Sequence, residues 1–412
     1  MTSGNERIER IRGALRDADL DALVCVLPSD VLLLTGYWPV VGTAVAVATH
    51  DGRVAVLAPE DEQELAAHSW ATEMRTYSPG SLTDLSGPTD AVREPLGELL
   101  RHVGVERGRL GYETRSIFEE STYAASYTFQ ANIHRILETI APHAQITPGD
   151  DAIAQLRSAL TEEEVAGVRL ACEIGSAAYV TATRSLRPGL RESEVAAAYE
   201  IPMVIDGLAH AGVERAEAFV YCMSGSNSAL AGAAYARTRD RELQAGDLVL
   251  VHCNSTIDGY WTDITRTYCL GEPDARQRTI YDAIFEAREA ALAAICPGAA
   301  AADVDKVARD VLTQHGFGEY FTHGVGHNMG FSAISPDFPP RLHPASPDHL
   351  EVGMTFNIEP SIYIKGYGGV RHCDVVTVHE HGPEVLTPFQ CSLEDLIVDN
   401  GVTRASNPAH AS

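Results

Sequence analysis

Apolar and polar positions follow two different textures along the chain. The first texture, up to about residue 150, opens with a helical spacing (Ile8, Ile11, Leu15) and passes into the apolar runs DALVCVLPSDVLLLTGY and VGTAVAVATHDGRVAVLAP. In the second run two β-rich stretches flank His50-Asp51-Gly52-Arg53, whose Asp-Gly pair predicts a hairpin. Helical stretches follow around 91–105 and 119–137, with strand-like GRLGYE between them and a turn at ITPGDD. From about Asp151 long amphipathic helical patterns dominate: AIAQLRSALTEEEVAGVRLACEIGSAAYVTATRSL, ESEVAAAYEIPMVIDGLAHAG and ARQRTIYDAIFEAREAALAAI. Thr161-Glu162-Glu163-Glu164 has the form of a capping box. Between and after these helices lie the strand runs AEAFVYCMS, DLVLVHCN, YWTDITRTYCL, MTFNIEPSIYI, GGVRHCDVVTVHE and PEVLT. The pattern predicts an α/β chain in three parts: a mixed α/β domain over 1–150, a domain over 151–400 with helices flanking a largely antiparallel sheet, and a tail over 401–412.

Length and composition narrow the class. The chain has 412 residues, room for two or three domains, and the two textures favour two. Hydrophobic residues make up 45% and charged residues 21%, which excludes general disorder. The 31 Lys and Arg against 57 Asp and Glu leave a formal charge of -26, which argues against a nucleic acid held by its phosphates and against an anionic lipid surface. No apolar run approaches the roughly 18 residues of a membrane span, and MTSGNERIERIRGALRD lacks the apolar centre of a secretory signal. A cytoplasmic protein without a membrane partner is expected. The 8 cysteines show no C-x-x-C spacing and read as reduced thiols, mostly core filler.

Candidate chemistry gathers in four fragments of the second domain. In VLVHCNSTIDGYWTDITRT, Asp258-Gly259 suits a hairpin turn that would set His252 and Asp263 across from one another on adjacent strands. THGVGHNMGF carries His323 and His327 among glycines that permit close backbone approach. FNIEPS places Glu359 in an apolar strand, and GGVRHCDVV carries Arg371, His372, Cys373 and Asp374. Each residue alone is ordinary; Asp, His, Glu and Cys together on hairpin-rich fragments are the ligand inventory of a transition-metal site.

These fragments resemble the pita-bread metallopeptidases, a family that includes methionine aminopeptidase, prolidase, aminopeptidase P and the metal-free amidinohydrolase creatinase. The N-terminal RIRGALRDADLDALVCVLPSDVLLLTGY is similar to the creatinase-type N-terminal domain. LQAGDLVLV, DGYWTDITRTYCLGEP, HGVGH, LEVGMTFNIEPSIYI and GGVRHCDVVTVHEHGPEVLT are similar to the ordered motifs of the catalytic domain. The resemblance covers nearly the whole chain and implies a curved, mainly antiparallel pita-bread sheet flanked by helices. It further implies a homodimer in which the N-terminal domain caps the pocket.

Carried onto this sequence, the family's five dimetal ligands Asp, Asp, His, Glu, Glu fall at His252, Asp263, His327, Glu359 and Cys373. Two of the five are therefore altered. Two proton-handling histidines of the peptidases fall at Ala234 and Ile334, whereas His323 matches the additional histidine that contacts substrate. Arg371 matches the arginine that braces the site. With 16 His and 8 Cys in the chain, both altered positions landing on such donors by chance has odds of roughly one in 300.

Bridging carboxylates that hold two hard cations together are missing, so the set suits one borderline divalent metal (iron, zinc or manganese). Adjacent strand residues point to opposite faces, so one member of each pair His252-Cys253 and His372-Cys373 can face the site. The resemblance implies a hydrolase acting on a C–N bond of a small amino-acid-like or dipeptide-like substrate. His323 and His252 are then candidate catalytic residues, with His252 a ligand or general base. A metal-free creatinase-like amidinohydrolase or lyase, and a non-catalytic binding protein on the same fold, are the alternatives. The proline-rich FSAISPDFPPRLHPASP is the loop expected to set specificity.

Overall fold

The computed structural model describes residues 3–80, 87–115, 123–124, 131–233, 237–335, 337–399 and 402–403. The chain divides into two compact units, Met1–Glu163 and Glu164–Ser412. Among the described residues no helix is long and apolar enough to cross a membrane.

The first unit is built on a six-stranded sheet in the order Glu73–Tyr77, Val54–Pro59, Val45–Thr49, Ala22–Cys25, Arg109–Tyr112, Gln145–Pro148. Its central strands are buried at every position, which is why they read as unbroken apolar runs rather than alternating ones. The predicted hairpin is present: Val45–Thr49 and Val54–Pro59 pair antiparallel around Asp51-Gly52. The Asp51 carboxyl accepts the Thr49 hydroxyl and the Arg53 guanidinium, which bring it down to about 2. Helix Pro88–Val103 covers one side through Val92, Leu96, Leu99 and Leu100. Helix Pro28–Thr35, hidden within the first apolar run, is buried throughout and stops at Gly36 (φ 73°).

Three expectations for this region change. The boundary at residue 150 moves past helix Asp150–Ser158, because Arg7 Nη1 donates to Leu156 O (2.9 Å) and Arg157 Nε to Asp30 Oδ1 (2.7 Å), tying that helix to the first unit. The long helical pattern from Ala152 to Leu186 is two helices, Asp150–Ser158 and Glu162–Thr183. The helix predicted over 119–137 is found as Ala131–Ile140, while Tyr123–Ala124 pair parallel to Val41–Gly42, tertiary pairing having overridden local periodicity. Residues 119–122 and 125–130 of that prediction lie outside the described residues.

In the second unit Ala216–Ser224, Leu248–Ile257 and Tyr260–Leu270 form an antiparallel sheet, extended by Ile397–Asp399 parallel to the last of them. Asp258 (φ 49°) and Gly259 (φ 87°) make the two-residue turn the sequence predicts, with both residues left-handed as the twist of a tight hairpin requires. Helix Glu162–Thr183 is pinned to this sheet by Tyr179, whose hydroxyl bonds Val251 O (3.1 Å) and Ile264 O (2.9 Å). A second sheet joins Thr355–Ile358, Asp374–His379 and Gly382–Val385, and Ser361–Ile364 pairs with Gly368–Arg371. The runs MTFNIEPSIYI and GGVRHCDVVTVHE thus each break into two strands, at Glu359-Pro360 and at His372-Cys373. Both breaks fall at candidate site residues. Helices Glu192–Ala209, Ala275–Ala294 and Ala301–Gln314 complete the unit.

Candidate active site

Three strand systems meet where the candidate residues lie. Thr265 bridges Cys373, with Cys373 N donating to Thr265 O at 3.0 Å, so the long hairpin touches the second break. The loop with His323 and His327 crosses the Thr355–Ile358 strand so closely that a Cβ on Gly326 would stand 1.9 Å from Asn357 O. Only glycine fits there. The crossing is sealed by Asn357 N donating to His327 O (3.2 Å) and His327 N to the Asn357 side-chain oxygen (2.7 Å).

The expected ligands converge. Asp263, Glu359 and Cys373 offer donor atoms that all lie within 4.8 Å of one another. His327 Nε2 is 3.5 Å from Asp263 Oδ2 and 3.9 Å from Glu359 Oε1. His327 Nδ1 faces the Asn328 carbonyl at 3.0 Å and must carry the proton, which leaves Nε2 with its lone pair turned to the carboxylates. His252 does not lie opposite Asp263. The hairpin register sets Asn254 there and pairs His252 with Thr265, so His252 reaches Asp263 Oδ1 diagonally, at 3.4 Å from Nδ1. Burial, then the Arg371 charge, lowers the His252 pKa to about 3, so the ring is a neutral imidazole.

One member of each His-Cys pair faces the site. Cys253 points away to Met203, and His372 turns away to the Phe285 ring and Asp374. Cys373 faces inward, 3.7 Å from Asp263 Oδ1, and its Sγ–H donates to Asp263 O at 3.2 Å. Burial and the Asp263 and Glu359 carboxylates push this thiol far above its ordinary range. Arg266 holds the segment from behind, donating to Cys373 O (2.7 Å) and Asp374 Oδ1 (2.7 Å). Arg371 Nε donates to Thr265 Oγ1 (3.1 Å), and its Nη1 is 3.7 Å from Glu359 Oε2. Burial works against its charge, but Tyr363, Glu359 and Asp263 outweigh that and hold its pKa above the usual value.

His327, Glu359 and His323 also line a cavity of about 340 Å³, together with Arg341, His343 and Pro347. His323 Nδ1 bonds Gly324 O (2.8 Å), and its Nε2 meets Ser361 Oγ (2.8 Å) and Tyr363 OH (3.3 Å). Arg341 is anchored by Asp348 through Nε (2.8 Å) and Nη2 (2.6 Å). Ile334 is half-buried, and Ala234 lies outside the described residues.

Two residues escaped the sequence reading. Arg341 sits in the proline-rich loop singled out for specificity, where no pattern marks it. Asn357 had a usable signal: two positions before Glu359 on a strand, it shares that residue's face. Its Nδ2 lies 3.1 Å from Asp263 Oδ2, 3.1 Å from His327 Nε2 and 3.6 Å from Cys373 Sγ.

By number and chemistry the donors fit one borderline cation: two carboxylates, an imidazole with its lone pair aimed inward, and a sulfur, with a second imidazole beside them. They do not fit a pair of hard cations, which needs further bridging carboxylates.

Residues 166–380 match the model of metallopeptidase family M24, and residues 7–159 match the creatinase/prolidase N-terminal domain. The Xaa-Pro dipeptidase of Pyrococcus furiosus is 30% identical over 94% of this chain and 99% of its own. Among solved structures, the prolidase from Pyrococcus horikoshii OT3 superposes with a TM-score of 0.73 at 26% identity, covering 93% of this chain and 98% of that one. The Xaa-Pro dipeptidase from Bacillus anthracis gives a TM-score of 0.76 at 25% identity, over 96% and 100%.

Proposed function

Because the chain belongs to metallopeptidase family M24, we propose that it is a hydrolase of the Xaa-Pro peptidase type, cleaving a C–N bond of a small dipeptide-like or amino-acid-like substrate in the 340 Å³ cavity. The observation that carries this reading is the convergence of Asp263, Glu359 and Cys373 within 4.8 Å beside His327, two members of which also line the cavity wall. Asp263, His327, Glu359 and Cys373 would hold one divalent transition metal (iron, zinc or manganese), with His252 as a further ligand. Such a metal supplies Lewis-acid polarisation of the substrate carbonyl and a lowered pKa for water.

The chain's own residues do the rest. Glu359, on the cavity wall with Arg371 behind it, is placed to take a proton from attacking water and pass it to the leaving nitrogen. His323 lines the cavity, with the Ser361 (2.8 Å) and Tyr363 (3.3 Å) hydroxyls fixing its Nε2 side, and would meet a substrate carbonyl or carboxylate. Arg341 adds a fixed cation to the cavity lining, oriented by Asp348.

A second reading, a metal-free amidinohydrolase or lyase, is favoured by the Asn357 amide standing among the donors. Metal analysis separates the two. Protein equilibrated with excess iron, manganese, cobalt or zinc is expected to bind one equivalent, and less than about a tenth of an equivalent bound at saturating metal would sink the metal reading. In the double variant His252→Asp, Cys373→Glu, a rise in Xaa-Pro dipeptidase activity over the wild type is expected, since it restores two carboxylates of the family's ligand set.

A further inference from the structure

Asn357 has two N–H donors on Nδ2, and two acceptors stand at 3.1 Å: Asp263 Oδ2 and His327 Nε2. These are the two lone pairs a cation at this site must use. The amide cannot simply turn over, because its Oδ1 accepts the His327 N–H at 2.7 Å. Nor can His327 turn its lone pair elsewhere, since Nδ1–H is committed to the Asn328 carbonyl at 3.0 Å. Asn357 is fully buried, on a strand whose ladder fixes its direction. The amide is therefore a built-in occupant of the metal position, neutral, correctly oriented and held from both ends.

We propose that Asn357 sets the cation occupancy of this site, by competing with a divalent metal for Asp263 and His327. Any cation bound to those two residues must first displace Nδ2 and leave it without partners in a buried place, a penalty that subtracts directly from metal affinity. The consequence is a site that keeps its shape without metal and takes metal weakly, so that occupancy follows the surrounding metal concentration rather than being permanent. The proposal rests on the metal reading above, and its test separates the two.

Calorimetric titration with Mn²⁺, Co²⁺ and Zn²⁺ compares the wild type with Asn357→Ala and Asn357→Asp, and thermal unfolding with and without chelator runs alongside. The amide-to-carboxylate change retains the Oδ1 acceptor for His327 N–H and replaces the competing donor. Both variants are expected to bind at least about tenfold more tightly than the wild type. Wild-type unfolding temperature should respond little to chelator, whereas Asn357→Asp, with two carboxylates side by side, should become metal-dependent in its folding. If Asn357→Ala does not fold, Asn357→Ser, which removes the competing Nδ2 without adding a carboxylate, gives the same comparison. Wild-type affinity within about twofold of Asn357→Ala or Asn357→Ser overturns the proposal and leaves the metal reading standing. Binding by none of the three proteins overturns both.

Discussion

Each unit of this chain buries an Asp, a Glu and a Cys within 4.8 Å of one another beside an arginine. In the first unit they are Asp30, Glu113 and Cys25 with Arg157; in the second, Asp263, Glu359 and Cys373 with Arg371. The inventory is the same and the chemistry is not. Arg157 clasps Asp30 at 2.6 Å, and Glu113 accepts the N–H groups of Val26 (2.8 Å) and Leu27 (2.9 Å), at the start of helix Pro28–Thr35. Those polar atoms are satisfied from within the fold. In the second cluster Arg371 stays 3.7 Å from Glu359, its Nη2 has no hydrogen-bond partner among the described residues, two imidazoles face the carboxylates, and a cavity reaches Glu359 and His327. A buried acidic cluster becomes a candidate site when its donors are left partly unmet and a ligand can reach them; composition alone does not decide it.

The largest expected effect that tests this contrast is on stability. Arg157→Met leaves the Asp30 carboxylate buried without its cation, and denaturant unfolding should show a loss of about 3–5 kcal/mol. A loss below about 1 kcal/mol would remove the distinction between the clusters. Asp263→Asn is expected to do the reverse. Activity toward an Xaa-Pro dipeptide should drop roughly hundredfold or more in kcat/KM, while stability changes by less than about 1 kcal/mol, since the new amide can still meet His252 and Cys373. A large unfolding penalty there would make the second cluster structural too.

The smallest effect concerns pH. Burial, then the Asp30 charge, pushes the Glu113 carboxyl well up. A carboxyl whose folded pKa lies above its unfolded value, near about 4.3, contributes stability that is present below that value and lost as pH rises toward the folded one. Glu113→Gln keeps Oε1 as acceptor for both backbone N–H groups and removes the ionisation. Between pH 5 and pH 8 the wild type should therefore lose stability relative to the variant, on the order of 1 kcal/mol. Urea midpoints at the two pH values measure it, and parallel pH profiles would show that Glu113 does not ionise against its surroundings.

Much of the candidate site was legible because short-range chemistry announced it. Asp258-Gly259 predicted the hairpin that carries His252 and Asp263, and the ordered motifs marked His327, Glu359 and Cys373. The His-Cys alternation was also readable, since neighbouring strand residues face opposite ways, and Cys253 and His372 do point away from the site. The register follows from the same turn: two turn residues at 258–259 pair residue 254, not 252, with Asp263, so His252 works on the diagonal. The strand breaks at Glu359-Pro360 and His372-Cys373 were not legible, because local β propensity runs straight through them.

By itself the sequence determined the family, the α/β architecture and five residues that belong near one another, because spacing and residue type are carried along the chain. Only the tertiary structure decided which of their lone pairs are free. The Asn357 amide and the Arg371 position depend on contacts between segments about a hundred residues apart. Hydrogen-bond satisfaction in a buried site is a property of packed neighbours, and no single strand of the sequence contains it.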